Sequence, residues 1–265
     1  MFLNTKPVFM RVFYWIHQIR KDELTTDRFI AVELDRGFFI GTYKYHLHRM
    51  WRRLAEDSFE NKETELIEKL IPNFNYFIDI GAHIGYYTCL VHHLAPHIPI
   101  ISFEPNPENF ISLQKNIEMN KISNCKSYQI GLGDKKEKVI LYGIDAMGSI
   151  VKETYDLKTL PKEQITVEID KLDTFIKDIP IGSKVFIKVD VEGNELNMLH
   201  GGLEFIKKIK PIGFIMEICL KWSVQENPHY QETLDTLDRL GYRVTPIGEG
   251  VGSFLFLQKN SQILL

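Results

Sequence analysis

The sequence predicts an α/β protein in which a mostly parallel sheet carries helices on both faces. Three observations lead to this prediction. From residue 76 onward, short apolar runs alternate with amphipathic stretches of helical length, as in β-α-β units. A glycine-containing turn joins the first run to the stretch that follows it. The 265 residues are 44% hydrophobic and 25% charged, as expected for a globular domain with a sizeable core.

The predicted strands are short runs rich in β-branched and aromatic residues, which suit a pleated sheet. The first resembles a buried strand, and the fourth a central one. In chain order they are 76–80, 98–103, 127–130, 185–189 and 212–218, with a closing pair at 242–246 and 254–257.

The predicted helices lie between these strands. In the second helix, Phe110, Leu113 and Ile117 recur at helical spacing after Pro107. The other helices end next to proline or glycine, which terminate helices. The predicted helices are 85–95, 107–120, 194–200 and 230–240.

Two regions interrupt the alternation. Residues 1–70 lack such units and predict a helical or mixed N-terminal appendage to a domain that spans 71–265. Within the appendage, Asp35-Arg36-Gly37 predicts a hairpin turn between apolar runs at 29–32 and 38–40. The polar stretch 134–183 predicts short strands at 139–142 and 165–169 and a loop at 145–161, the kind of segment that is usually a lid or mobile.

Charge and cysteine content disfavour several classes of protein. The 32 basic and 35 acidic residues give a net charge of −3, so a nucleic-acid partner is not expected. The three cysteines are far apart and form neither zinc-site spacing nor a disulfide framework. A reducing, cytoplasmic setting is therefore expected.

The N-terminus carries one apolar segment. No apolar run approaches the roughly 20 residues that a transmembrane helix needs. Residues 8–16 are apolar and aromatic except for Arg11. We interpret them as a helix that packs on its own domain or on a second copy of the chain, with peripheral contact to a membrane surface as the alternative.

The first motif with chemical meaning is D-I-G-A-H-I-G at residues 79–85. Its glycines allow a tight bend and close approach of a ligand, and the following helix offers free N–H groups. A dinucleotide site needs glycine at the position of His83, so NAD is disfavoured. Asp79 suits the ammonium group of S-adenosylmethionine, or else it holds N–H groups of the turn. We expect cofactor contacts from Asp79, Gly81, Ala82, His83 and Gly85.

The second motif is F-E-P-N at residues 103–106, at the end of the next strand. Glu104 is expected to accept hydrogen bonds from the ribose hydroxyls, and Pro105 and Asn106 to line the same site. The alternative for Glu104 is an exposed acid beside a helix N-terminus. Asp134 follows the third strand, where it either accepts from the adenine amine or only forms a turn.

The third motif is V-D-V-E-G-N-E at residues 189–195, where a central strand ends in acids. Asp190 is expected to remove a proton from an alcohol or to bind a metal, and Glu192 to orient the substrate. Glu217 ends the fifth strand nearby, so Asp190 and Glu217 are candidate ligands for Mg²⁺. Hydrogen-bonded acids without metal are the alternative. Glu195 is expected to favour the helix N-terminus.

The three motifs in this order resemble the FkbM-type family of S-adenosylmethionine-dependent methyltransferases, over roughly residues 75 to 220. The resemblance implies the class I methyltransferase (Rossmann-like) fold, with a seven-stranded sheet whose seventh strand is antiparallel. It also implies O-methylation of sugars, glycans or polyketide-type products. By the same resemblance, Asp190 lies at the catalytic end, and His83 replaces the more usual asparagine.

The predicted function is methyl transfer from S-adenosylmethionine to a hydroxyl oxygen of a small-molecule or glycan acceptor. Asp190 is the expected base or metal ligand, assisted by Glu192 and Glu217. An N-methyltransferase on the same fold is the first alternative, although the D-V-E-G sequence at 190–193 differs from the motif of base-amine methylases. An NAD-dependent oxidoreductase and a non-catalytic nucleoside-binding protein are the others.

Overall fold

A seven-stranded sheet organises the protein in a computed structural model, which describes residues 30–34, 36–42, 60–143, 148–155, 161–162, 164–218, 221–222, 225–248 and 252–263. The apolar segment 8–16 lies outside the described residues. The strands are β1 (Ile30–Glu33), β2 (Phe39–Thr42), β3 (Tyr76–Ile80), β4 (Ile100–Phe103), β5 (Cys125–Tyr128), β6 (Gly131–Leu132), β7 (Glu137–Tyr142), β8 (Gln164–Asp170), β9 (Val185–Val189), β10 (Gly213–Glu217), β11 (Lys221–Trp222), β12 (Gln225–Glu226), β13 (Tyr242–Pro246) and β14 (Ser253–Gln258).

The spatial order of the large sheet is β13-β14-β10-β9-β3-β4-β5. Its five parallel members from β10 to β5 present their carboxyl ends at one edge, and β14 runs antiparallel to both of its neighbours. Every residue of β3 and β9 is buried, as expected for central strands covered on both faces. The chain leaves β3 toward β4 on one side and returns to β9 on the other, so a ligand crevice is expected between β3 and β9.

Helices cover both faces of this sheet. They are α1 (Asn61–Leu70), α2 (Tyr86–Leu94), α3 (Pro107–Met119), α4 (Glu195–His200), α5 (Leu203–Ile209) and α6 (Tyr230–Arg239). One core cluster joins α1, α2 and the β1–β2 hairpin to one face of the sheet. The other joins α4, α5 and α6 to the opposite face. The predicted sheet with helices on both faces is therefore confirmed.

The described part of the N-terminal region contributes directly to the core. The hairpin predicted around residues 35–37 is present, with β1 and β2 paired in antiparallel register. Leu34, Phe38 and Ile40 from the hairpin are buried in the same cluster as Ile67 and Leu70 of α1. The helix α1 was not itself predicted. These residues therefore share one hydrophobic core with the α/β sheet.

Some elements differ from the sequence prediction. The third strand was expected at 127–130 but is Cys125–Tyr128, a partly exposed edge strand. The helix expected to stop at Gly201-Gly202 is followed at once by α5. The two predicted strands in the polar stretch are present as β7 and β8, and with β6 they form a separate three-stranded sheet.

Within the described ranges, no helix combines the length and apolarity needed to cross a membrane.

Candidate active site

The glycine loop, residues 81–85, connects β3 to α2 and lies against the end of β9. The amide of Asp190 donates a 2.9 Å hydrogen bond to the carbonyl of Ile80. A Cβ atom added at Gly81 would lie 1.8 Å from the carbonyl oxygen of Asp190, and Gly81 has a φ of +77°. Only glycine satisfies both this backbone angle and this close approach, which bring the first and third motifs into contact.

Two further residues of the glycine loop, Gly85 and His83, have left-handed backbone conformations. Gly85 has a φ of +92°, and a Cβ atom there would lie 2.5 Å from the Cδ1 of Leu113 in α3. His83 has a φ of +53°. Histidine is among the non-glycine residues that are enriched in this conformation. Ala82 is buried against Phe110 and Leu113.

Asp79 is buried beneath the glycine loop. The hydroxyl of Thr88 donates a 2.7 Å hydrogen bond to Asp79 Oδ2, and the Thr88 amide also bonds to this carboxylate. Burial raises the pKa of Asp79 to about 6. Because Thr88 lies in the first turn of α2, Asp79 holds a helix N-terminus. This is the structural alternative considered above, and contact with an ammonium group stays a prediction.

Glu104 follows β4 and binds the glycine loop directly. Its Oε2 accepts a 2.8 Å hydrogen bond from the amide of His83, and its Oε1 a 2.9 Å bond from the amide of Asn106. The side chain of Asn109 bonds to the same carboxylate, and burial raises the pKa of Glu104 to about 7. A carboxylate has about four lone-pair positions, so acceptor capacity remains after these bonds.

The neighbours of Glu104 have structural contacts of their own. Asn106 caps α3, with its Oδ1 accepting a 2.9 Å hydrogen bond from the amide of Glu108. A Cβ atom at Gly131 would lie 3.5 Å from the Cβ of Pro105, so the chain after β5 passes beside this turn. Asp134 is exposed in the turn after β6. Contacts of Pro105, Asn106 and Asp134 with a cofactor stay predictions.

Asp190 is paired with a buried lysine. The Nζ of Lys188 lies 3.2 Å from Asp190 Oδ2, and the two side chains are 3% and 25% exposed. Lys188 is also opposite Asp79 in the β3–β9 register. Although desolvation opposes the charge, Asp190 and further carboxylates raise the pKa of Lys188, which therefore stays an ammonium ion. A paired Asp190 with a quarter of its side chain exposed can still meet a substrate.

The charge of Asp190 affects the pKa values of Glu192 and Glu217. The Asp190 charge and burial raise the pKa of Glu217. Burial, with the Asp190 charge second, raises the pKa of Glu192. Glu192 also has a φ of +50°, and its carbonyl accepts a hydrogen bond from the hydroxyl of Ser149 in the predicted loop. The charge of Asp190 thus acts on both Glu192 and Glu217.

Glu195 has the structural role expected of it. Its Oε1 accepts a 2.8 Å hydrogen bond from the amide of Gly193, and its own amide also bonds to the carboxylate. It therefore closes the turn at the start of α4 rather than facing a substrate.

Sequence reasoning missed Lys188 and the residues linked to it. The Nζ of Lys188 lies 5.2 Å from the centroid of the Tyr87 ring, and the Tyr87 hydroxyl donates a 2.5 Å hydrogen bond to Glu60. Among the buried residues of the described chain, Lys188 is the one lysine or arginine. A lysine within an otherwise apolar strand was the available signal, since lysine is almost never fully buried unless paired.

The described residues do not fit the magnesium site suggested by the sequence. Nowhere in the described chain do three or more His, Cys, Asp or Glu side chains gather in a group able to hold a metal ion. One oxygen of Asp190 already faces the ammonium of Lys188, a cation that competes with a metal for the same carboxylate. Asp190 and Glu217 therefore lack the further ligands that a magnesium site in the described chain would need.

The sheet order, the antiparallel β14 and the glycine loop after β3 define the class I methyltransferase fold. The model of the methyltransferase FkbM domain matches residues 79–244, which is more than half of the chain. The protein therefore belongs to the FkbM methyltransferase family, as the resemblance of its motifs predicted.

Two curated relatives and one solved structure are similar to this chain. Methyltransferase 1 of Beauveria bassiana is 28% identical over 147 residues, which cover 49% of this chain and 59% of the relative. Methyltransferase sdnD of Sordaria araneosa is 27% identical over 160 residues, covering 49% and 61%. The chain thus spans about three fifths of each relative. Precorrin-6y C5,15-methyltransferase from Geobacter metallireducens is 12% identical with a TM-score of 0.43, covering 74% of this chain and 86% of that one.

Proposed function

We propose that the protein transfers a methyl group from S-adenosylmethionine to a hydroxyl oxygen of a sugar, glycan or natural-product acceptor. The observation that carries the proposal is the direct contact between the glycine loop and Asp190, in which Gly81 packs against the backbone carbonyl of Asp190. A loop suited to a nucleoside cofactor and a carboxylate paired with a lysine thus lie side by side. Bound S-adenosylmethionine would supply a methyl group already activated by its sulfonium.

The cofactor side of the proposal rests on the glycine loop and Glu104. Without side chains, Gly81 packs against the backbone of Asp190 and Gly85 packs against Leu113, so these close contacts fix the path of the loop. Glu104 is anchored to the loop through the His83 amide. With its remaining acceptor capacity, Glu104 would bind the ribose hydroxyls, and its anchoring would fix their position relative to the loop.

The acceptor side rests on the pairing of Asp190 with Lys188 and on the two glutamates near it. Asp190 would take the proton of the acceptor hydroxyl, while the Lys188 ammonium orients its carboxylate. Glu192 and Glu217, whose pKa values are raised, would stay protonated and donate hydrogen bonds to the acceptor. The raised pKa values of Glu192 and Glu217 favour acid roles for these two groups.

The direct test is transfer of tritiated methyl from S-adenosylmethionine to paired acceptors, namely methyl glycosides and the corresponding amino sugars, together with small polyketide-type alcohols. The proposal expects label on oxygen in at least one hydroxyl acceptor. Label on nitrogen alone would instead identify an N-methyltransferase. Cofactor binding without transfer to either class would favour a binding protein.

A further inference from the structure

The conformation of the glycine loop depends on contacts at its centre. His83 is a non-glycine residue with a φ of +53°, and such a conformation persists only where surrounding contacts hold it. Glu104 holds one side of this position by accepting the His83 amide over 2.8 Å. The other side is the carbonyl of the next residue, Ile84, which accepts a 2.7 Å hydrogen bond from the side-chain amide of Asn116.

Asn116 is fully buried in α3 and also binds the N-terminal hairpin. Its Oδ1 accepts a 2.7 Å hydrogen bond from the amide of Gly41, and its Nδ2 donates a 2.8 Å bond to the carbonyl of the same residue. One side chain therefore satisfies the backbone of β2 in both directions and, in addition, the backbone of the glycine loop. A buried amide with this many bonds is costly to disturb.

Asn120, which directly follows the last residue of α3, binds the same strand but not the loop. Its Oδ1 accepts a 2.8 Å bond from the amide of Phe39, and its Nδ2 donates a 2.7 Å bond to the Phe39 carbonyl. Its other bonds go to Cys89 and to the carbonyl of Asn116. Asn120 is thus a matched control, because it docks the hairpin in the same way and differs in its contact with Ile84.

We propose that Asn116 is a positioning residue for the glycine loop, which it ties to the β1–β2 hairpin. The inference rests on the proposed function, since it assumes that the loop binds S-adenosylmethionine. Loss of the Asn116 amide frees the Ile84 carbonyl, so the bound shape of the loop is populated less in the free protein. The apparent affinity for the cofactor falls in proportion to that population.

The experiment compares Asn116→Ala with Asn120→Ala by calorimetric titration of S-adenosylhomocysteine, after urea unfolding has measured the stability of each variant. Both variants are expected to lose stability, because both lose hydrogen bonds to the hairpin. Asn116→Ala is expected to bind at least about fivefold more weakly than Asn120→Ala, the order expected for one lost buried hydrogen bond. Amide hydrogen exchange within residues 81–85 should accelerate in Asn116→Ala alone.

Equal affinity in the two variants, whether both are weakened or both unchanged, would overturn the inference. If Asn116→Ala does not fold, Asn116→Asp takes its place with the same criterion, because its carboxyl oxygen still accepts from the Gly41 amide but it lacks the NH₂ group that donates to the Ile84 carbonyl. Wild-type protein that fails to bind S-adenosylhomocysteine would contradict the proposed function itself. That outcome is distinct from a wild type that binds while the two variants behave alike.

Discussion

Acidic residues lie at strand ends in two parts of the sheet edge, and the surroundings of their carboxyl groups differ. At the carboxyl ends of β3 and β4, the edge proposed to bind the cofactor and called the cofactor edge, Asp79 and Glu104 are buried and accept hydrogen bonds from amide and hydroxyl donors. At the acidic edge, around the carboxyl ends of β9 and β10, Asp190, Glu192 and Glu217 interact through their charges with one another and with Lys188. The same sequence signal thus yields carboxylates held by hydrogen bonds in one place and carboxylates that interact through their charges in the other.

The largest effect is expected at the acidic edge. Asp190→Asn removes the proposed base while it preserves size, so turnover with an acceptor from the hydroxyl panel should fall by about 10²- to 10⁴-fold. Binding of S-adenosylhomocysteine should stay within about threefold, as for a base that forms no part of the cofactor edge. The exposed residue Asp235 provides the control Asp235→Asn. Near-normal turnover in Asp190→Asn would remove Asp190 from the reaction.

The contact between the two edges is tested by Gly81→Ala. The new Cβ atom would lie 1.8 Å from a backbone oxygen at a φ of +77°. A loss of more than about 3 kcal/mol in the free energy of unfolding is expected, because a clash with backbone adds to the strain. Gly182→Ala is the matched control, with a φ of +86° and no atom within 4 Å. It should lose only about 1–2 kcal/mol; equal losses in urea unfolding would argue against the close approach.

The cofactor edge itself is tested by Glu104→Ala. Loss of its charged hydrogen bonds should weaken binding of S-adenosylhomocysteine by about 1–3 kcal/mol. The exposed Glu108, in the first turn of α3, gives the control Glu108→Ala. An unchanged calorimetric affinity in Glu104→Ala would show that Glu104 does not bind the ribose.

The smallest effect concerns pH and Asp79. Burial raises the pKa of Asp79 to about 6, above its ordinary 3.8. The folded state therefore holds this proton more tightly than the unfolded chain, and the associated stability is complete below the ordinary pKa and is lost as the pH rises through 6. Asp79→Asn should reduce the loss of unfolding free energy between pH 4 and pH 7 by roughly 1–3 kcal/mol. An identical pH dependence in the variant and in Asp235→Asn would contradict this.

The central strands and their motifs were predictable from sequence because their residues are buried on both faces. Tyr76–Ile80 and Val185–Val189 were predicted with the bounds that the structure has. The edge strand Cys125–Tyr128 was misplaced, because its half-exposed residues lack a clear apolar run. The helix Leu203–Ile209 was missed because Gly201 and Gly202 resembled a terminator, whereas Gly201 instead gives close contact with the carbonyl of Gly133.

The candidate site residues could be predicted from sequence only where they lie within one short sequence motif. The acids at strand ends could be found from the strand pattern alone. The pairing of Lys188 with Asp190 and the link through Tyr87 to Glu60 depend on a fold that joins distant parts of the chain. The same holds for Asn116, whose partners Gly41 and Ile84 lie on two other elements. Such contacts follow from packing, and no spacing within the sequence encodes them.

The measurement that tests the account most directly is calorimetric titration of the wild-type protein with S-adenosylhomocysteine and, separately, with NAD. The contact between the glycine loop and Asp190, together with the anchored carboxylate of Glu104, predicts binding of one S-adenosylhomocysteine per chain and no heat with NAD. Binding of NAD without binding of S-adenosylhomocysteine would contradict the account.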